Sequence, residues 1–369
     1  MVENQAGGQA RGRRNGPIRV LVVDDSALAC AVLSEGLNLD PDIEVVGTAP
    51  DPYAARDLIL KLRPDVLTLD VEMPRMNGVE FLRKLMPQYP LPVVMVSAFT
   101  QRGQRITIEA LEMGAVDVVP KPAAGLGHGL EEMLLELRTK VKLASTARVA
   151  HWKNKRSPVP RFPVPEGSAP EAGPETVVAI GASTGGTEAI SRIIGQLPPN
   201  APPALVVQHM PPGFTRMFAE RLNSQSRMAV KEAESGDQVV AGRVLIAPGD
   251  MHMKVVRSGG RLLVVCGEGE KVSGHRPSVD VLMQSVAHHA GGEAIGVLLT
   301  GMGRDGARGL AAMRERGART IAQDEATSVV FGMPQEADKL GAVERLLPLE
   351  EIAGAIMRLA AARRVVKEQ

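Results

Sequence analysis

A chain of 369 residues is long enough for two or three domains at roughly 150 residues each, and its net charge of +1 leaves no excess basic field for nucleic acid. One Trp, two Tyr and six Phe are too few to build the cores, which must come from Val, Leu, Ile, Ala and Met. No apolar run is long enough to span a bilayer and no N-terminal stretch resembles a signal peptide; Cys30 and Cys266 lie far apart in apolar segments, so a cytoplasmic chain with buried thiols is expected, with no membrane insertion and no disulfide.

Met1 to Pro17 is polar, Gly-rich and basic, and reads as a disordered tail. Residues 18–145 then alternate strand and helix. Strands are expected at Ile18–Val23, Ile43–Gly47, Val66–Leu69, Pro92–Val96 and Val116–Val119, each a short apolar run. Amphipathic runs at Ala27–Leu39, Pro52–Leu62, Gly78–Met86 and Gly103–Met113 separate them, and Leu130–Leu143 reads as a closing helix. The pattern is that of a five-strand parallel α/β sheet with helices on both faces. Ligand chemistry in such sheets sits at the C-terminal strand ends. Polar residues occupy those ends: Asp24 and Asp25 after the first strand, Asp70 after the third, Ser97 after the fourth and Lys121 after the fifth. Three carboxylates at one edge repel unless a cation joins them, and oxygen-only ligands suit Mg²⁺. Any one of these residues is explained by an ordinary turn, but all five together are not.

The blocks VVDDS (Val22–Ser26), LDVEMPRMNG (Leu69–Gly78), VSA (Val96–Ala98) and KP (Lys121, Pro122) resemble the phosphoacceptor receiver domains of two-component signalling. The resemblance implies a flavodoxin-like fold. It also implies that Asp70 accepts a phosphoryl group from a partner histidine kinase. Asp25, Asp70 and the backbone carbonyl of Glu72 would hold Mg²⁺ with Asp24 assisting, while Ser97 and Lys121 engage the phosphoryl oxygens. One position departs from the pattern: many receivers carry an aromatic three residues before the lysine, where this chain has Val118.

Residues 146–175 hold six prolines and a basic patch, Lys153, Lys155 and Arg156, and read as an extended linker that lets two domains shift. The isolated pair His151 and Trp152 offers a docking point but is read as incidental.

From 176 to 369 strand and helix alternate again. Strands are expected at Val177–Ile180, Ala204–Val207, Val244–Ile246, Leu262–Val265, Ile295–Leu299 and Thr320–Ala322. Helices fit Thr187–Leu197, Gly213–Ser224, Ser278–His289, Ala307–Arg316 and Glu350–Leu359. The piece from Arg243 to Gly267, with its Ser-Gly-Gly turn, reads as a hairpin insertion. The whole is a doubly wound, mostly parallel sheet with an antiparallel appendage.

Three segments carry reactive side chains just past apolar strands. Gly181-x-Ser183-x-Gly185 matches the signature of a serine at a sharp strand-to-helix turn. His209 follows ALVVQ, and Asp305 follows AIGVLLTGMGR. If those strands are neighbours, a nucleophile, a base and an orienting carboxylate converge. The Gly301-Met302-Gly303 loop is a candidate oxyanion donor or a plain turn. The Gly-rich turn at Ser183 is equally open to a phosphate cradle, although the acid that a dinucleotide fold places after the next strand is missing: Gln208 and His209 stand there. His252 is open between a turn residue and a site residue, and His275 between support and a helix lead-in. His288 and His289 suit a helix C-terminus.

GASTGGTEAI (Gly181–Ile190), VVQHMPPGFT (Val206–Thr215), IAPGDMHM (Ile246–Met253), HRPSVDVLM (His275–Met283), LLTGMGRDGA (Leu298–Ala307) and QDEATSVVFGMP (Gln323–Pro334) resemble the catalytic domain of the chemotaxis protein-glutamate methylesterases. A receiver in front is that family's architecture. The resemblance implies Ser183 as nucleophile, His209 as base and Asp305 as orienting acid, with Thr184 and Met302 as neighbours. It implies hydrolysis of glutamate γ-methyl esters and deamidation of glutamines on chemoreceptor helices, no cofactor at the esterase site, and activation by phosphorylation at Asp70. A response regulator whose output only binds, and a hydrolase of small esters, are the alternatives.

Overall fold

The computed structural model describes residues 16–98, 100–122, 128–153 and 176–367. The tail before Gly16, and the Pro-rich linker from residue 154 to 175, lie outside the described residues. The chain divides into two compact units, Met1–Arg156 and Ser157–Gln369. Among the described residues no helix is long and apolar enough to cross a membrane.

In the first unit β1 (Ile18–Val23), β2 (Ile43–Ala49), β3 (Val66–Asp70), β4 (Val93–Ala98) and β5 (Asp117–Lys121) form a sheet in the order β2-β1-β3-β4-β5. Every pairing is parallel. Val20–Val23 and all of β3 are buried, as strands covered on both faces must be. Helices start where a polar side chain can cap them. Ser26 Oγ accepts from Ala29 N, Asp51 from Tyr53 N and Ala54 N, Asn77 from Glu80 N, and Thr100 from Gly103 N. The strand order reverses between β1 and β3, which brings Asp24, Asp25 and Asp70 to one crevice.

Trp152 corrects the reading of its pair as incidental. After the helix His128–Ser145 a short turn, Ala150–Trp152, lays the indole back on the first unit, where it is buried. It covers Gly114, where a Cβ would stand 2.8 Å from the indole and 3.0 Å from Met86 Cε. The start of the linker is thus anchored by the chain's single tryptophan. Trp152→Ala is expected to destabilise this unit by about 3 kcal/mol or more, the cost of emptying a buried aromatic site. Urea unfolding followed by circular dichroism checks it; an unchanged midpoint contradicts it.

The second unit holds β6 (Val177–Ala182), β7 (Ala204–Gln208), β8 (Ala229–Glu232), β9 (Arg243–Ile246), β10 (His252–Ser258), β11 (Arg261–Gly267), β12 (Ala294–Leu298), β13 (Arg319–Gln323) and β14 (Arg345–Leu347). Seven strands make one parallel sheet in the order β14-β13-β12-β6-β7-β9-β8. β10 and β11 form a separate antiparallel hairpin, closed by Gly259 and Gly260 with φ of 55° and 79°. Two glycines at positive φ give the turn whose twist matches a hairpin. The hairpin is therefore shorter than expected, because Arg243–Ile246 belongs to the parallel sheet beside β7. β8, β14 and the helix Met333–Lys339 were not foreseen. Chain order runs from β6 to one side of the sheet and then from β12 to the other. Such a reversal leaves a crevice at the ends of β6 and β12.

Candidate functional site

The ends of β6, β7 and β12 carry Ser183, His209 and the loop to Asp305. Two backbone bonds and one from a side chain tie these ends together. Ser183 N donates to Thr300 O (3.0 Å), His209 N to Ala182 O (3.2 Å), and Gln208 Nε2 to Ser183 O (2.9 Å). The 300–303 loop lies so close that a Cβ on Gly301 would reach 2.8 Å from Ser183 Cβ. The helix Gly186–Gln196 follows Ser183 after Gly185, at φ 75°, with no side-chain cap. Its first amide closes the turn, Gly186 N donating to Ser183 O (2.7 Å).

Asp305 is fully buried, and the start of the helix Val279–His289 is wrapped around it. Ser278 Oγ donates to Oδ1 (2.7 Å), Val279 N to Oδ2 (2.8 Å) and Asp280 N to Oδ1 (3.1 Å). His209 Nε2 adds a fourth bond, 2.8 Å from Oδ2. Burial pushes the Asp305 carboxyl up, but the bonds from His209, Ser278 and Asp280 outweigh it and hold it below the ordinary carboxylate range. Asp280 returns the arrangement: its Oδ1 accepts from Gly306 N (2.9 Å) and Gly309 N (2.7 Å) at the start of the helix Ala307–Glu315. Each helix is capped by the acid of the other, which locks the Asp305 loop in place. Burial pushes the Asp280 carboxyl up.

With Nε2 on Asp305, Nδ1 is the imidazole nitrogen left without a hydrogen-bond partner among the described residues, and it is buried. The His275 ring lies flat on His209. Thr184 is buried, and its carbonyl accepts from Thr300 Oγ1 (2.9 Å). Met302 is 47% exposed at the rim. His252 is not part of the cluster. It is buried at the start of β10, where its Nδ1 accepts from Ser278 N (3.3 Å) and its Nε2 meets Glu270 O (2.9 Å).

In the first unit, carboxylate oxygens of Asp24, Asp25 and Asp70 all lie within 4.8 Å of one another. Lys121 Nζ is 2.8 Å from Asp24 Oδ2 and 3.0 Å from Asp70 Oδ1. Burial pushes the Asp70 carboxyl up to about 6, with Lys121 opposing and Asp24 reinforcing the rise. Burial pulls the Lys121 ammonium down, but Asp24 and Asp70 raise it further than that. Ser97 is fully buried and accepts from Thr107 Oγ1 (2.8 Å). Glu72 is exposed two residues beyond Asp70. Val118 is buried in the sheet against Met95. An all-oxygen donor set with excess negative charge fits a hard divalent cation.

The family model for CheB methylesterase matches residues 178–356, and that for the response regulator receiver domain matches residues 20–126. The protein-glutamate methylesterase/protein-glutamine glutaminase of Syntrophotalea carbinolica is 62% identical over 349 residues, covering 94% of this chain and 99% of that one. The chain belongs to the CheB methylesterase family. A relative of the same description from Pseudomonas aeruginosa is 51% identical, covering 94% of this chain and 98% of its own. Among solved structures, the Thermotoga maritima CheB methylesterase catalytic domain is 42% identical with a TM-score of 0.49, covering 50% of this chain and 98% of that one.

This CheB-family chain is thus a hydrolase with a receiver in front of it. Its fold brings Ser183, His209 and Asp305 to one crevice, and Asp24, Asp25, Asp70 and Lys121 to another. Sequence reasoning missed Gln208, Ser278 and Asp280 as supports. The one available signal was Ser278 immediately before an apolar-periodic run, a helix-start pattern that also marks what the capping serine faces.

Proposed function

We propose that the second unit hydrolyses glutamate γ-methyl esters on chemoreceptor helices through Ser183, His209 and Asp305, and deamidates glutamines by the same route. His209 Nδ1 takes the proton of Ser183 Oγ as the hydroxyl attacks the ester carbonyl. Asp305 holds the ring through Nε2 and balances the imidazolium. The tetrahedral oxyanion would be met by backbone amides of the turn after Ser183 and of the Met302 loop. Collapse expels methoxide, which leaves as methanol with the proton from His209. Water then attacks the acyl-serine, giving a proton to His209, which passes it to Ser183 Oγ as the acyl–oxygen bond breaks and the glutamate is released. For a glutamine the leaving group is ammonia. The observation that carries this reading is the buried 2.8 Å bond between His209 and Asp305 at strand ends tied to the Ser183 turn.

We further propose the receiver at 18–145, the linker at 146–175 and the esterase at 176–369, with activity raised when Asp70 is phosphorylated by a histidine kinase. Asp24, Asp25, Asp70 and the Glu72 carbonyl would hold Mg²⁺, which supplies charge neutralisation for the transferring group. Asp70 is the nucleophile, and Ser97 and Lys121 hold the phosphoryl oxygens. Methanol release from methylated receptor is expected to rise when a small-molecule phosphodonor and Mg²⁺ are added to the full chain. A chain starting near Gly173 is expected to be active without them. Equal rates for all three conditions contradict the regulation.

A further inference from the structure

We propose that His275 is a positioning residue for the base: its ring clamps one face of His209 and so aims Nδ1 at Ser183. The two rings stack with centroids 3.8 Å apart and planes 9° from parallel. A single hydrogen bond from Nε2 to Asp305 fixes one edge of the His209 ring but leaves it free to tilt about that bond. A flat neighbour on the ring face removes the tilt. Edge and face together define where Nδ1 points, which neither does alone.

His275 is itself held firmly. It closes a two-residue turn in which Val272 N donates to His275 O (3.1 Å) and His275 N to Val272 O (3.0 Å), with Ser273 and Gly274 at φ 53° and 85°. The next residue, Arg276, donates twice to Asp250 Oδ1 (2.9 and 2.7 Å) and once to Gly269 O (2.6 Å). Two residues further on, Ser278 bonds Asp305. One short segment, His275–Ser278, therefore sets both the plane of the base and the seat of its acid. Stacked rings prefer offset parallel or edge-on geometry and are worth a small but real preference beyond burial. Catalytic geometry amplifies such a preference, because a misplacement of about 1 Å can cost roughly 100-fold in rate.

The inference rests on Ser183 and His209 acting as proposed above. It is tested on the full chain with phosphodonor and Mg²⁺, by methanol release from methylated receptor and by the rate at which a fluorophosphonate labels Ser183. His275→Ala is expected to lower kcat by about 10- to 100-fold with KM within about twofold, and to slow labelling in parallel. His275→Phe, which keeps a flat ring but no ring nitrogen, is expected to recover most of both rates. His275→Asn, polar but unable to stack, is expected to stay slow. If the alanine variant does not fold, the Phe and Asn pair decides. Wild-type rates for Ala or Asn, or a Phe variant as slow as Ala, overturn the clamp. Ser183→Ala separates the two claims: methanol release that survives it sinks the hydrolytic assignment, whereas a dead Ser183→Ala beside a fully active His275→Ala sinks the clamp alone.

Discussion

Ser183→Ala is expected to lower methanol release from methylated receptor by at least about 10⁴-fold, leaving only what the oxyanion donors and binding supply. The loss should be purely chemical. Ser183 is half-buried, and no hydrogen bond from its Oγ is found among the described residues. What the turn needs is its backbone: the amide to Thr300 O and the carbonyl that accepts from Gly186 N (2.7 Å) and Gln208 Nε2. Alanine keeps all three bonds. The melting temperature should therefore stay nearly unchanged, as for substitutions worth within about 0.5 kcal/mol. Methanol release within tenfold of wild type, or a large fall in melting temperature, contradicts this account of the turn.

Asp70→Asn is expected to abolish phosphoryl incorporation and the phosphodonor-dependent rise in esterase activity, because an amide cannot form the acyl phosphate. It should also stabilise the Mg²⁺-free protein. Burial holds the Asp70 carboxyl up at about 6, above its unfolded value. A carboxyl raised on folding opposes folding at every pH above its folded value. That penalty fades as pH falls from about 6 to about 4, where both states become protonated. A rise from the ordinary value of about 4 to about 6 corresponds to about 3 kcal/mol at pH 7. Asn carries no such penalty, and Lys121 keeps Asp24 as a partner at 2.8 Å. Urea unfolding at pH 7 and pH 5 without Mg²⁺ is expected to show the variant more stable at pH 7, with the gap narrowing at pH 5. A less stable variant, or phosphoryl incorporation that persists, contradicts it.

The strands were readable from sequence wherever both faces of the sheet are covered. VVAIGA and ALVVQ are buried at every position, so they appear as unbroken apolar runs ending in a turn. β8 and β14, of four and three residues at the sheet's edges, are too short to show a period. The hairpin boundary slipped because Arg243–Ile246 is as apolar as a hairpin strand, and only its partner β7 shows which sheet it joins. The reactive residues could be named because each follows such a run. Their supports could not, because they are contacts between distant segments. Asp305 is capped by Ser278 and Asp280, about 25 residues earlier, and Asp280 by Gly306 and Gly309. Which imidazole nitrogen faces Asp305 has no trace in sequence. The docking of Trp152 was equally hidden, since its site is an absence of side chain at Gly114.

The convergence of Ser183, His209 and Asp305 on one acyl transfer is tested most directly by trapping the serine. The full chain, activated by phosphodonor and Mg²⁺, is exposed to a fluorophosphonate, digested and mapped by mass spectrometry. The account predicts one phosphonylated peptide, modified at Ser183, whose formation slows by orders of magnitude in His209→Ala. Labelling at another residue, or labelling of Ser183 that is indifferent to His209, would contradict it.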